Sequence, residues 1–175
     1  MKPDSEDLNK VLSAYRALIA SFKTVLIAST STKNIPEASY APYLELEGRY
    51  YIFISELAVH TQNLLQTHRC SLLFIEDEVH TNNLFARQRV SLQCTAENLA
   101  RDSRDYQNVL DLFHQRFGKL IALLQTLPDF HLFCLTPNSG NYVAGFGKAY
   151  SLSGSDLGQW QHRNPESGKL NPNSA

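Results

Sequence analysis

Most of the features that announce a function are missing from this chain. No apolar run approaches the ~20 residues needed to cross a bilayer, so a helical membrane protein is not expected. The N-terminus, Met1 to Asp7, is acidic and lacks an apolar core, which excludes a signal peptide reading. No catalytic triad, phosphate loop or metal motif is present. There are three cysteines, Cys70, Cys94 and Cys134, an odd and widely spaced set, each in an apolar strand-like run. That pattern fits free, buried thiols in a reducing cytoplasm, and no two Cys or His residues stand at zinc-ligand spacing in one knuckle. The formal net charge is −1, which gives no bulk attraction to nucleic acid or an anionic membrane, although a local basic patch stays open. What remains is 175 residues, 43% hydrophobic and 19% charged, the composition of one soluble globular domain with a sizeable core.

Leu8, Val11, Leu12, Tyr15, Leu18, Ile19 and Phe22 recur at helical spacing, with Asp4 or Ser5 to cap the start, and predict an amphipathic helix over 5–22. Thr24 to Thr30 is β-branched and apolar, a strand, followed by a turn at Ser31 to Asn34. From Ala38 to Glu47, Tyr40, Leu44 and Leu46 share one face and Tyr43, Glu45 and Glu47 the other. Glu47-Gly48-Arg49 turns this strand back into Tyr50 to Ile54. His60 to Thr67 suits a short helix, and Cys70 to Glu76 and Arg89 to Asn98 suit strands. Asp102 or Ser103 caps a second helix with Tyr106, Val109, Leu110, Phe113 and Phe117 on one face, ended or bent by Gly118. Lys119 to Leu127 is a further short helix, and Asp129 to Thr136 and Tyr142 to Leu152 are the last strand-like runs. Strands joined without regular helical crossovers argue for an antiparallel barrel with helices outside, a mainly β chain with α. The domain is expected to span 1–157, and the polar stretch 158–175 to be a mobile tail.

The run from Ile54 to Leu64 carries the most information. It leaves a hydrophobic strand, turns through Ser55 and enters a short helix bearing His60, a usual place for an anionic ligand. With Ala38-Ser39-Tyr40-Ala41-Pro42-Tyr43, Ile75-Glu76-Asp77-Glu78, Leu84 to Val90, Pro128-Asp129-Phe130 and Gly145 to Tyr150, it forms six segments in order over about residues 24 to 157. Together these resemble the pyridoxamine-phosphate-oxidase-like split barrels, and within them the HugZ/HutZ-type haem-utilisation proteins. The resemblance implies a six-stranded antiparallel split β-barrel with peripheral helices. It also implies a homodimer with ligands held in clefts between the subunits.

In flavin-binding relatives an Arg-Lys pair after the second hairpin strand grips the flavin phosphate, as a dianion requires. Val59 and His60 take those positions here, a departure from the flavin pattern that keeps the haem pattern. In haem-degrading members haem is both cofactor and substrate, and its ring is opened with release of iron. By the same resemblance Arg89 faces a haem propionate, with a solvent or salt-bridge arginine as the plain alternative. Asp129 lies near the dimer cleft and tunes the iron's ligand environment, against a simple turn aspartate after Pro128. His60 of one subunit pairs with Asp129 of the other, against a helix-start histidine with no ligand. The family's axial ligand is a tail histidine, and its position aligns near Ser167-Gly168, where no histidine stands. Either His162 takes over from a shifted tail, or haem has another ligand, or it is not bound. Trp160 either packs on a porphyrin or anchors the tail; His68, His80, His114 and His131 are expected at the surface or an interface. The residues themselves add only an aromatic first hairpin, which is most often core.

Three readings follow: a cytoplasmic haem-degrading protein with an electron donor such as a reductase or ascorbate; an oxidoreductase dependent on flavin mononucleotide (FMN), with Ser55, Thr61, Gln62, Arg87 and Lys148 as an alternative phosphate site; and a haem carrier without turnover. Neither nucleic acid nor membrane is expected as a partner.

Overall fold

The computed structural model describes residues 5–163. Among the described residues eight antiparallel strands run in the order β3-β2-β1-β4-β5-β6-β7-β8, and an additional β3–β6 pairing closes the first six into a barrel. The strands are β1 (Thr24–Thr30), β2 (Pro36–Leu46), β3 (Arg49–Ser55), β4 (Arg69–Ile75), β5 (Arg89–Asn98), β6 (Phe130–Gly145), β7 (Lys148–Ser153) and β8 (Gln159–His162). Four α-helices accompany them among the described residues: α1 (Ser5–Ala20), α2 (Val59–Thr67), α3 (Arg104–Phe117) and α4 (Leu120–Gln125). The expected split barrel with peripheral helices is the observed fold. The cap expected at Asp4 or Ser5 lies outside the described side chains.

Strand alternation builds the interior. Val25, Ile27 and Ser29 of β1, Cys70, Leu72 and Phe74 of β4, and Val90, Leu92, Cys94 and Ala96 of β5 all point inward and are buried. β3 is buried on both faces. Tyr50, Ile52 and Ile54 enter the barrel core, while Tyr51 and Phe53 meet Tyr106, Val109, Leu110 and Phe113 of α3 in a second core. Each such side chain contributes roughly 1.5–3 kcal/mol on burial, so β3 is a main source of stability. α2 lies against β1 and β2, with Leu64 and Thr61 fully buried and Asn63 Nδ2 donating to Ser29 Oγ at 2.9 Å. The β2–β3 turn has Glu47 and Gly48 at φ 52° and 76°, the left-handed pair that a two-residue hairpin turn needs. Ser103 caps α3, its Oγ accepting from Tyr106 N at 3.1 Å, and Gly118 at φ 79° ends it.

Three expectations change. Asp129–Thr136 and the start of the Tyr142 run are one sixteen-residue strand, β6. Pro137, which lacks an N–H, is tolerated mid-strand because it faces Cys94 where the β5 register shifts. Tyr142–Leu152 is not one strand, because Gly145 and Gly147 adopt positive φ and turn β6 back into β7. The chain after 157 adds a strand: Gln159–His162 pairs with β7, held by half-buried Trp160, whose ring lies 5.2 Å from Tyr15 and 6.2 Å from Tyr150. Trp160 therefore anchors this segment. The rest of the expected tail, 164–175, lies outside the described residues.

The three cysteines are free and buried, as expected. Cys70 and Cys94 face each other across β4 and β5; their mutual hydrogen bond and burial push the Cys94 thiol well up, leaving it unreactive.

Two substitutions test the packing. A Cβ on Gly140 would lie 2.7 Å from Leu92 Cδ2 and 3.0 Å from the Ser91 carbonyl oxygen. Gly140→Ala is expected to destabilise the protein by roughly 1–3 kcal/mol, read as a lower thermal midpoint. The Tyr106 hydroxyl is buried without a partner, so Tyr106→Phe is expected to be neutral or stabilising by up to about 1 kcal/mol in urea unfolding.

Candidate functional site

Barrel closure places the end of β3 beside the start of β6, Ser55 opposite Phe130. A dense set of hydrogen bonds forms there. Ser55 Oγ donates to Asp129 Oδ2 at 2.5 Å, the length of a charge-assisted bond, and accepts from Leu57 N at 3.1 Å. The Ser55 carbonyl accepts from Thr61 Oγ1 at 2.6 Å and from Ala58 N at 3.1 Å. Glu56 N donates to the Asp129 carbonyl at 2.8 Å. Next to this, His131 Nε2 lies 2.6 Å from Glu56 Oε1 and Nδ1 3.1 Å from Asn98 Nδ2, so both ring nitrogens are engaged. Asp129 is half-buried, and among the described residues its Oδ1 has no hydrogen bond.

His60, the second residue of α2, is 7% exposed. Its Nε2 is buried without a partner, a cost of roughly 1–3 kcal/mol. Nδ1 has no hydrogen bond either and is not sealed in, so it is the nitrogen turned toward the surface. Burial lowers the imidazole's pKa below its ordinary 6.5, with Glu37 opposing, so the ring is neutral at pH 7. Neighbouring Val59 and Leu57 are 58% and 92% exposed, an apolar surface around the turn.

Arg89 lies on the outer face of the sheet, opposite Ile75 of β4 and Val143 of β6. Leu73 and Leu26 continue that face, Leu26 being 45% exposed. Arg89 Nη1 donates to the Arg87 carbonyl at 3.1 Å, and no carboxylate among the described residues lies within 4.0 Å of its guanidinium. Arg87 is committed differently, to the Glu76 carbonyl and, at 3.0 Å, to Glu78 Oε1. His162 ends β8, half-buried, with its ring 5.2 Å from Tyr150 and Nε2 3.2 Å from the Gly147 carbonyl.

The structure thus brings Ser55, Asp129 and the start of α2 together, and places Arg89 and His162 on other strands. Ser167 and Gly168, the aligned position of a tail ligand, lie outside the described residues. The Glu56–His131 contact was not anticipated; 75 residues separate the partners, and only the β3–β6 pairing brings them together. Among the described residues no cluster of His, Cys, Asp or Glu suits a bound metal ion, and no helix is long and apolar enough to cross a membrane.

A closed six-stranded antiparallel barrel with a short helix leaving β3 defines a split barrel of the pyridoxamine 5'-phosphate oxidase kind, and residues 11–144 match that family. The chain is 39% identical over 140 residues to the heme oxygenase HutZ of Vibrio cholerae, covering 80% of each chain. The crystal structure of Vibrio cholerae HutZ, described as a heme storage protein, superposes with TM-score 0.67 at 34% identity, over 71% of this chain and 87% of that one. Campylobacter jejuni ChuZ superposes with TM-score 0.78 at 26% identity, over 94% and 67%. The chain belongs to the HugZ/HutZ-type family within the pyridoxamine 5'-phosphate oxidase-like split barrels.

The depressed pKa of His60 has a thermodynamic consequence. Above pH 6.5 the ring is neutral folded and unfolded and adds no pH dependence. Below it the unfolded chain binds the proton first, so stability falls as pH drops from 6.5 toward the lower folded value. His60→Leu should therefore flatten the decline of the thermal midpoint between pH 7.5 and 5; a decline as steep as in wild type would assign it to other groups.

Proposed function

We propose that this protein binds haem and degrades it, opening the porphyrin ring and releasing iron for use by the cell. The observation that carries this reading is the 39% identity to the Vibrio cholerae heme oxygenase over 80% of both chains. The local chemistry supports haem over flavin. Positions 59 and 60 hold Val and His, and the N–H groups of Leu57, Ala58 and Thr61 are already taken by Ser55 Oγ, the Ser55 carbonyl and the Ala58 carbonyl. A flavin phosphate would find neither paired cations nor those donors there. FMN is therefore the disfavoured alternative.

The protein is read as a cytoplasmic homodimer with haem in a cleft between subunits. The outer apolar face around Leu26, Leu73, Ile75 and Val143 supports self-association, and it carries Arg89. Haem, when bound, supplies an iron that activates dioxygen and is itself the substrate; electrons come from a reductase or an ascorbate-like donor. In this reading Arg89, free of any carboxylate partner among the described residues, takes a propionate by paired hydrogen bonds. His60 Nδ1–H meets the open Asp129 oxygen of the other subunit, which fixes the ring's tautomer and the carboxylate's direction. The surface-facing His60 Nδ1 and the unpaired Asp129 Oδ1 fit such an external partner. His162 is the iron-ligand candidate within 5–163, and its use requires release from Gly147 and Tyr150. The domain is read as the barrel through β8.

A second reading, a haem carrier without turnover, is favoured by the description of the Vibrio cholerae HutZ structure as a storage protein. Titration with haemin should give a saturable Soret shift at about one haem per subunit. Arg89→Ala should weaken it roughly tenfold, and His162→Ala should change the spectrum if that residue ligates iron. Loss of the Soret band with ascorbate and oxygen marks the enzyme, and a stable band marks the carrier. No shift with haemin, together with tight FMN binding, would overturn the haem reading.

A further inference from the structure

Asp129 and His60 are candidates for the cleft, yet they belong to segments nearly seventy residues apart, and something must set one against the other. We infer that Ser55 is a positioning residue that fixes the Asp129 carboxylate relative to the start of α2. The inference rests on the haem reading given above for those two residues, and it assigns Ser55 a role of its own.

Three bonds from one residue carry the argument. The hydroxyl has a single proton, and it goes to Asp129 Oδ2 at 2.5 Å. A lone pair of the same oxygen accepts Leu57 N at 3.1 Å, which fixes the direction of that proton. The Ser55 carbonyl holds Thr61 Oγ1 at 2.6 Å, and Thr61, fully buried, adjoins His60 in α2. Asp129 therefore presents one particular oxygen, Oδ1, away from Ser55, and the hydroxyl that makes this choice also shapes the turn into α2. The other groups in reach do not substitute. Arg101 is committed to the carbonyls of Gln125, Leu127 and Phe130, and His131 to Glu56 and Asn98. The Glu56 N–H bond to the Asp129 carbonyl fixes the backbone and leaves the carboxylate free to rotate. Alanine at 55 removes the only hydrogen bond to that carboxylate among the described residues; threonine retains the hydroxyl.

The test is a double-mutant cycle on the full-length protein: Ser55→Ala, Ser55→Thr, Asp129→Asn and Ser55→Ala/Asp129→Asn. Two readouts are taken, the rate of Soret loss with haemin and ascorbate, and hydrogen exchange of the amides from Glu56 to Thr61 without haem. Ser55→Ala is expected to slow Soret loss roughly tenfold, as for the loss of one charge-assisted bond. The double variant should be no slower than Asp129→Asn alone, and Ser55→Thr should recover most of the wild-type rate. In the exchange measurement Ser55→Ala should lose protection at Leu57, whose N–H the hydroxyl accepts, with Ser55→Thr protected. Rates that multiply in the double variant, or a threonine variant as slow as alanine with its amides protected, would overturn the inference while leaving the haem reading intact. A wild type that shows no Soret loss refutes turnover, and the cycle is then read on haemin affinity and Soret position. A wild type that binds no haem refutes the functional reading and with it any cleft role for Ser55, whatever the exchange shows about the turn.

Discussion

The pairing of β3 with β6 is the interaction on which the rest depends. Six residue pairs, from Tyr50 opposite Leu135 to Ser55 opposite Phe130, turn an open sheet into a closed barrel. Without them β3 would be an edge, with its backbone donors and acceptors exposed. With them, Ile52 becomes fully buried, and the outer residues Tyr51 and Phe53 are brought under α3. One strand thus joins the barrel core to the helical core, and the two halves of the molecule share a wall.

The same pairing makes the candidate site. The last pair, Ser55 and Phe130, puts the residue before β6 against the turn after β3. A carboxylate at Asp129 then meets the Ser55 hydroxyl, and His131 meets Glu56. These polar contacts lie at the end of an apolar strand pair, where the barrel wall stops. The interior supplies rigidity. The tyrosines lining it are held neutral, the Tyr15 and Tyr43 hydroxyls being pushed up to about 12 chiefly by burial.

Much of the fold was legible because short-range patterns carry it. β1 and β5 were read at their observed limits, since alternating burial along a strand leaves a period of two in the sequence. α1 and α3 were legible from their apolar stripes, the β2–β3 turn from Glu47-Gly48, and the start of α3 from Ser103. The errors came where distant residues decide. Asp129–Thr136 and Tyr142–Leu152 were expected as separate runs, and only the shifted register opposite Cys94 accommodates Pro137 within β6. Gln159–His162 looked like tail, because its polar residues alternate with a single large anchor, Trp160, whose aromatic partners lie on α1, β6 and β7.

By itself the sequence determined the class of the protein: strand and helix periods, turn residues and six ordered segments are local properties that survive without coordinates. It also shows a valine and a histidine, and no pair of cations, at the start of α2. The tertiary structure alone decided which polar groups meet. Ser55 and Asp129 are 74 residues apart and Glu56 and His131 are 75 apart, and no spacing rule links such positions. Their contact exists because hydrogen-bonded closure of the barrel fixes a register, and a register is a relation between strands that neither strand encodes alone.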